Sequence, residues 1–308
     1  MRYNDDAQLD TSEVVDARGG GLLPGGLGGQ IAVGGGGLGI VGLIVVVLLN
    51  VLGGGGHSGS DVLGGLGSGQ TADNSQVQQE CHTGQDANTR LDCAVVADID
   101  SIQAFWAQEL PAMRGPTYVP VPTVWFSGQT STGCGAASSG TGPFYCPADK
   151  RVYLDLGFYQ QLHTEFGADG GLFVDAYVLA HEYGHHVQDL LGTEARIRPG
   201  ETGPTSGSVR LELQADCYAG VWAKHASTVP DASGQPLITD ITQDDINRAL
   251  DTAGRIGDDY IQRNLGGGQV DTSTFTHGTS AQRQHWFTTG YQSGEPARCD
   301  TFDASTLG

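Results

Sequence analysis

Two histidines four residues apart, with a glutamate directly after the first, stand in the run His181-Glu182-Tyr183-Gly184-His185. On a helix, positions i and i+4 share one face about a turn apart, so both imidazoles converge on one metal ion. Glu182 then lies beside the open coordination position, where it can take a proton from a metal-activated water and pass it to a leaving amine. Two histidines do not complete a catalytic zinc site, so a third ligand is required. The extended motif with a further glycine and histidine is excluded, because those positions hold Gln188 and Leu191, and no methionine occurs after Met113 to supply a Met-turn. Further along, the chain carries Glu212-Leu213-Gln214-Ala215-Asp216. On a helix Glu212 and Asp216 share a face, so Glu212 is expected to bind the metal and Asp216 to hold the free ring nitrogen of a ligand histidine. The competing reading is two solvated carboxylates on an amphipathic helix. Ala215, Ala219 and Gly220 on this helix, with Ala180 and Gly184 on the first, favour a close approach of the two.

Apolar periodicity places the first motif on a helix over 172–191 and the second on a helix over 209–226, with further helices over 95–113, 243–264 and 281–289. Short strands are expected over 123–126 and 151–156. In the second, Val152, Leu154 and Leu156 alternate with Arg151, Tyr153 and Asp155. That strand is read either as an edge that pairs substrate backbone or as an ordinary core strand. The expected fold class is α+β, helix-dominated with a small sheet.

The chain of 308 residues carries 15 Lys and Arg against 35 Asp and Glu, a formal charge of -20. A surface that neutralises phosphates is not available, which excludes a nucleic-acid partner. Cys81, Cys93, Cys134, Cys146, Cys217 and Cys299 form no CxxC pair. They read as disulfides Cys81–Cys93 and Cys134–Cys146, each closing a short loop, with Cys217–Cys299 left as the long one, in an oxidising compartment. Six reduced thiols are the alternative. No charged residue occurs between Arg18 and Asp61, and 31–52 is an apolar segment of membrane-spanning length. It is read as one transmembrane helix in preference to a cleaved secretory signal. Arg2 and Arg18 precede it and no Lys or Arg appears after it until Arg90, which puts the amino terminus in the cytoplasm and the bulk of the chain outside. The resulting organisation is a disordered cytosolic tail over 1–30, the span, a Gly/Ser-rich linker over 53–80 and a globular domain over 81–308.

Several stretches together resemble the neutral zinc metallopeptidases of bacterial membranes: ARGG near the start, CPADKRVYLDLGFYQQL, YVLAHEYGHHVQ, LELQADCYAGVWA, GRIGDDYIQ and FTHGTSAQRQHWF. The resemblance implies a zincin-like peptidase domain with one gluzincin-type Zn2+ held by His181, His185 and Glu212, and Glu182 as general base. Weaker similarity to the CAAX-type prenyl proteases implies that His277, in Thr276-His277-Gly278, donates to the oxyanion of the tetrahedral intermediate, with Arg283 as helper or as partner of a carboxylate. Gly278 replaces the proline of those enzymes, and a capping or surface role for His277 is the alternative. Asp258 and Asp259 match the family's GDD without an assigned chemistry. His186 is expected to be packed rather than a ligand, and His163, His225 and His285 have no convergent partners. The implied protein is a membrane-anchored, extracytoplasmic zinc metallopeptidase acting on peptide or protein substrates. The alternative is a catalytically idle, zinc-stabilised scaffold or binding protein at the cell envelope, for which Glu182 has no use.

Overall fold

The expected 172–191 helix forms with those bounds, Leu172–Leu191, closed at its carboxyl end by Gly192 in the left-handed conformation. It is buried on nearly every side from Phe173 to Gln188, so its polar groups need partners within the protein. A computed structural model describes residues 1–19, 72–198, 200–231 and 234–308. In chain order the helices are α1 (Ser75–Glu80), α2 (Gly84–Ala87), α3 (Leu91–Ala112), α4 (Gly157–Thr164), α5 (Leu172–Leu191), α6 (Gly207–His225), α7 (Gln243–Arg255), α8 (Asp258–Asn264) and α9 (Ser280–Ser293). The strands are β1 (Arg2–Tyr3), β2 (Val14–Asp16), β3 (Thr123–Trp125), β4 (Gln129–Thr132), β5 (Gly135–Ser138), β6 (Phe144–Cys146), β7 (Arg151–Leu154) and β8 (Ile238–Asp240).

A four-stranded sheet runs β2-β3-β7-β6, parallel from β2 to β7 and antiparallel between β7 and β6. The strand over 151–156 is therefore interior. The expectation that it offers a free edge is corrected, because β3 and β6 occupy both its sides. The β6 edge lies beside α5, whereas the β2 edge is covered: Asn74 receives the Asp16 N–H and donates to the Val14 carbonyl. Helices α5, α6 and α9 stack in sequence. Gly184 of α5 sits against Ala215 of α6, where a β-carbon would meet the Ala215 backbone at 3.1 Å. Gly220 does not face α5 as expected. It and Gly290 lie in the α6–α9 contact, where a β-carbon on either would overlap the carbonyl oxygen of Phe287 or Cys217. The expected 243–264 helix is broken into α7 and α8 at Gly257, against whose α-carbon the backbone of Ser280 packs. All three disulfides pair as expected. Cys134–Cys146 ties the β4–β5 hairpin to β6, and Cys217–Cys299 ties the carboxyl-terminal segment to α6.

Residues 1–19 correct the expectation of a disordered tail. Tyr3 is 0% exposed, its hydroxyl donating to Asp98 of α3 at 2.8 Å, and β1 pairs with β8. The Met1 amino group lies 2.6 Å from Asp245. β2 joins the main sheet, and Arg18 covers the Trp125 ring. The physical reason is that a few large apolar side chains at strand spacing can each bury enough area to hold a short segment on a preformed surface. The expected linker also ends early, since 75–80 is helical. The apolar segment 31–52 lies outside the described residues. Among the described residues no helix is long and apolar enough to cross a membrane. The Asp73 N–H donates to the Asp16 carbonyl at 2.8 Å, so the described residues on either side of 20–71 meet within the fold. That contact runs against the expectation of an amino terminus separated by a membrane from the domain, because residues 1–19 are packed into the domain.

Candidate active site

Helix α5 presents His181 and His185 on one face, and α6 brings Glu212 against them through the Gly184–Ala215 contact. His181 Nε2 is 3.1 Å from Glu212 Oε2 and 3.2 Å from His185 Nε2, and His185 Nε2 is 3.6 Å from Glu212 Oε1. Both remaining ring nitrogens are committed. His181 Nδ1 donates to Asp216 at 2.9 Å, and His185 Nδ1 donates to the Gln188 side-chain oxygen at 2.8 Å. Gln188 is oriented in turn by donating to the Leu211 carbonyl and to Gln214. With Nδ1 holding the proton, each neutral ring would direct an Nε2 lone pair at the same small space beside a carboxylate, an arrangement that a cation satisfies. A tetrahedral zinc with ligands at about 2.1 Å spaces its ligand atoms by about 3.4 Å, which the three separations bracket. His181, His185 and Glu212 thus fit a zinc ion. The other candidate cluster among the described residues, Cys81, Asp92 and Cys93, has its sulfurs in a disulfide.

Electrostatics follow the same plan. Burial works against a charged Asp216, but Arg283 and His181 outweigh it and hold the carboxyl far below the usual carboxylate range. Arg283 donates from Nε and Nη2 to Asp216 at 2.8 and 2.9 Å, and it also reaches the Ile256 carbonyl. The Tyr177 hydroxyl donates to Asp216 at 2.7 Å. Arg283 is thus committed to a carboxylate, the partner role weighed for it in the sequence, although it still lines the cleft. Glu212 is likewise held well below its usual value: burial opposes ionisation, and His185, His277 and His181 overcome it. Glu182 behaves oppositely. Burial raises its pKa, the two histidines pull it back, and the net direction is upward. Its Oε2 accepts the Tyr145 N–H of β6 at 3.1 Å.

His277 lies 4% exposed in the wall of the same cleft, whose apolar lining is Pro143, Phe158, Phe166, Val178 and Ile256. His186 is packed as expected, bound to Tyr145 and to the Val119 carbonyl. His163 and His225 bind the carbonyls of Ala168 and Gly294, away from the cleft, and His285 rests against Trp286. Sequence reasoning missed Gln188, Tyr177 and Tyr145. The first two had a signal, because Gln188 is i+3 to His185 and Tyr177 is i−4 to His181 on one helix face. Tyr145 had none, since its contribution is a backbone N–H.

A buried helix carrying HExxH, a carboxylate from the next helix closing a cluster that fits a metal ion, and a further glutamate beside it make up a site of the kind that can hold zinc. The profile of the family described as putative neutral zinc metallopeptidase matches residues 1–302, and the chain belongs to that family. It is 51% identical over 230 residues to the uncharacterized protein Rv2575 of Mycobacterium tuberculosis H37Rv, covering 74% of this chain and 76% of that one. It is 39% identical over 310 residues to the uncharacterized protein YpfJ of Escherichia coli K12, covering 99% and 100%. No solved structure matches.

Proposed function

We propose that this chain is a zinc metallopeptidase that hydrolyses peptide bonds in an oxidising compartment outside the cytoplasm. The observation that carries the reading is Glu182: a buried carboxylate beside the three ligand side chains, not one of them, with a raised pKa and open to the cleft. A purely structural metal site has no use for it. When bound, the zinc supplies Lewis-acid polarisation of the scissile carbonyl and makes an attacking water more acidic. Glu182 takes the proton from that water and delivers it to the leaving amine, and the Tyr145 N–H fixes the carboxylate for both transfers. His277 donates to the oxyanion as it develops. The outward backbone of β6 borders the cleft beside Glu182, and its one outward N–H, that of Tyr145, is committed to the Glu182 carboxylate. Asp216 and Gln188 keep each ligand ring in the tautomer with Nδ1 protonated. Three disulfides support the oxidising compartment. Any membrane attachment through 31–52 leaves amino terminus and cleft on the same side.

The experiment is incubation of the purified chain with a mixed peptide library, read by mass spectrometry, before and after chelation and after return of zinc. Cleavage that chelator abolishes and zinc restores is the expected result. Zinc-loaded protein that cleaves nothing contradicts the peptidase reading and favours the scaffold.

A further inference from the structure

The Gly257-Asp258-Asp259 turn has no part in the hydrolytic steps, yet its first carboxylate is buried against the cleft wall. Asp258 Oδ2 accepts three consecutive backbone N–H groups, from Thr276 at 2.8 Å, His277 at 2.7 Å and Gly278 at 2.9 Å. The contact is reciprocal, because the Asp258 N–H donates to the Gly278 carbonyl at 2.9 Å. Three successive amides pointing at one oxygen make a concave anion nest, which fixes the backbone of all three residues at once. Gly278 closes the nest with φ +92°, a left-handed conformation that the proline or a branched residue could not take. Asp258 Oδ1 lies 3.6 Å from His277 Nδ1, and the Thr276 hydroxyl lies 2.9 Å from the same nitrogen. Nδ1 is therefore occupied from behind. Nε2 has no hydrogen-bond partner among the described residues, and the ring forms part of the cleft wall.

We propose that Asp258 is the positioning residue for His277, holding the 276–278 backbone and the rear of the imidazole so that Nε2 is presented to the reacting carbonyl. This rests on the peptidase reading and on His277 as oxyanion donor. Asp259 provides the contrast. It belongs to the same turn but accepts from Ser280 N–H at 2.7 Å, at the start of α9, and touches neither His277 nor its neighbours in the nest. A donor that must meet a transition-state charge within a few tenths of an ångström depends on such support far more than ground-state binding does.

The test is steady-state kinetics on a peptide the parent cleaves, using the full chain with Asp258→Asn, His277→Ala, both together, and Asp259→Asn, with zinc content and melting temperature measured for each. Asp258→Asn should lower kcat by roughly tenfold or more with KM changed less than about twofold and zinc retained. Because Asp258 acts through His277, the double variant should be no slower than His277→Ala. Asp259→Asn should lower the melting temperature with kcat within about twofold of the parent. The proposal is overturned by Asp258→Asn with unchanged kcat, by effects of the two substitutions that multiply, or by loss of zinc. If Asp258→Asn does not fold, Asp258→Glu is judged by the same criteria, and failure of both to fold assigns Asp258 to the scaffold and overturns the proposal as well. An inactive, zinc-free parent instead removes the peptidase reading, a separate failure.

Discussion

Glu182→Gln is expected to abolish measurable peptide hydrolysis, with a loss of about 10³-fold or more, while leaving both the fold and zinc binding in place. General base catalysis is worth about 10² to 10⁴ in rate, and here one carboxylate must serve as base for the water and acid for the amine, so its loss falls at the upper end. The isosteric amide cannot accept a proton, yet its carbonyl oxygen can still receive the Tyr145 N–H. Glu182 is absent from the candidate ligand cluster of His181, His185 and Glu212, so zinc affinity should not depend on it. Burial already raises its pKa, which means that a neutral amide relieves a desolvation cost, and the melting temperature should hold or rise. Initial rates with elemental analysis of the same samples provide the check. Activity within tenfold of the parent shows that Glu182 is not the base, and loss of zinc shows that it contributes to the metal site.

The second large effect lies at the opposite end of the chain. Tyr3→Ala should destabilise the whole domain by about 3 to 5 kcal/mol, the usual cost of removing a large buried aromatic side chain. Tyr3 is 0% exposed within the main core, and its hydroxyl satisfies Asp98, itself 0% exposed on α3. The substitution therefore leaves both a cavity and a buried carboxyl without its donor. At about 2 to 4 °C per kcal/mol for a domain of this size, the melting temperature should drop by roughly 10 °C. A melting temperature indistinguishable from the parent returns residues 1–19 to the tail expected from sequence, and with it the cytoplasmic amino terminus.

The central helix was legible to its last residue, because glycines bracket its helical periodicity and the motif dictates which face meets the metal. The placement of Glu212 and Asp216 against the two histidines was legible for the same reason: an i,i+4 pair on the next helix has few ways to reach the first. Disulfide pairing could be read from the short loops. The elements that escaped are those without periodicity. Strands β1, β2, β6 and β8 are two or three residues long, too short for alternation to show, and they exist because a partner surface is already present. The β6 edge could not be distinguished from β7, since strand order is a tertiary property. The α7–α8 break depends on one glycine, Gly257, meeting Ser280, a contact distant in sequence that local propensity does not encode. Asp258 was visible as a motif, but its chemistry, three amides on one oxygen, exists only once the 276–278 loop is folded around it.

Every catalytic role assigned to this chain depends on the zinc site, and elemental analysis of the purified chain beside Glu212→Ala tests that site directly. The prediction is one zinc per chain in the parent, lost in a Glu212→Ala variant that remains folded by circular dichroism. A parent that takes up no zinc from excess, or a Glu212→Ala variant that holds it as tightly as the parent, contradicts the assignment of His181, His185 and Glu212 as the metal centre.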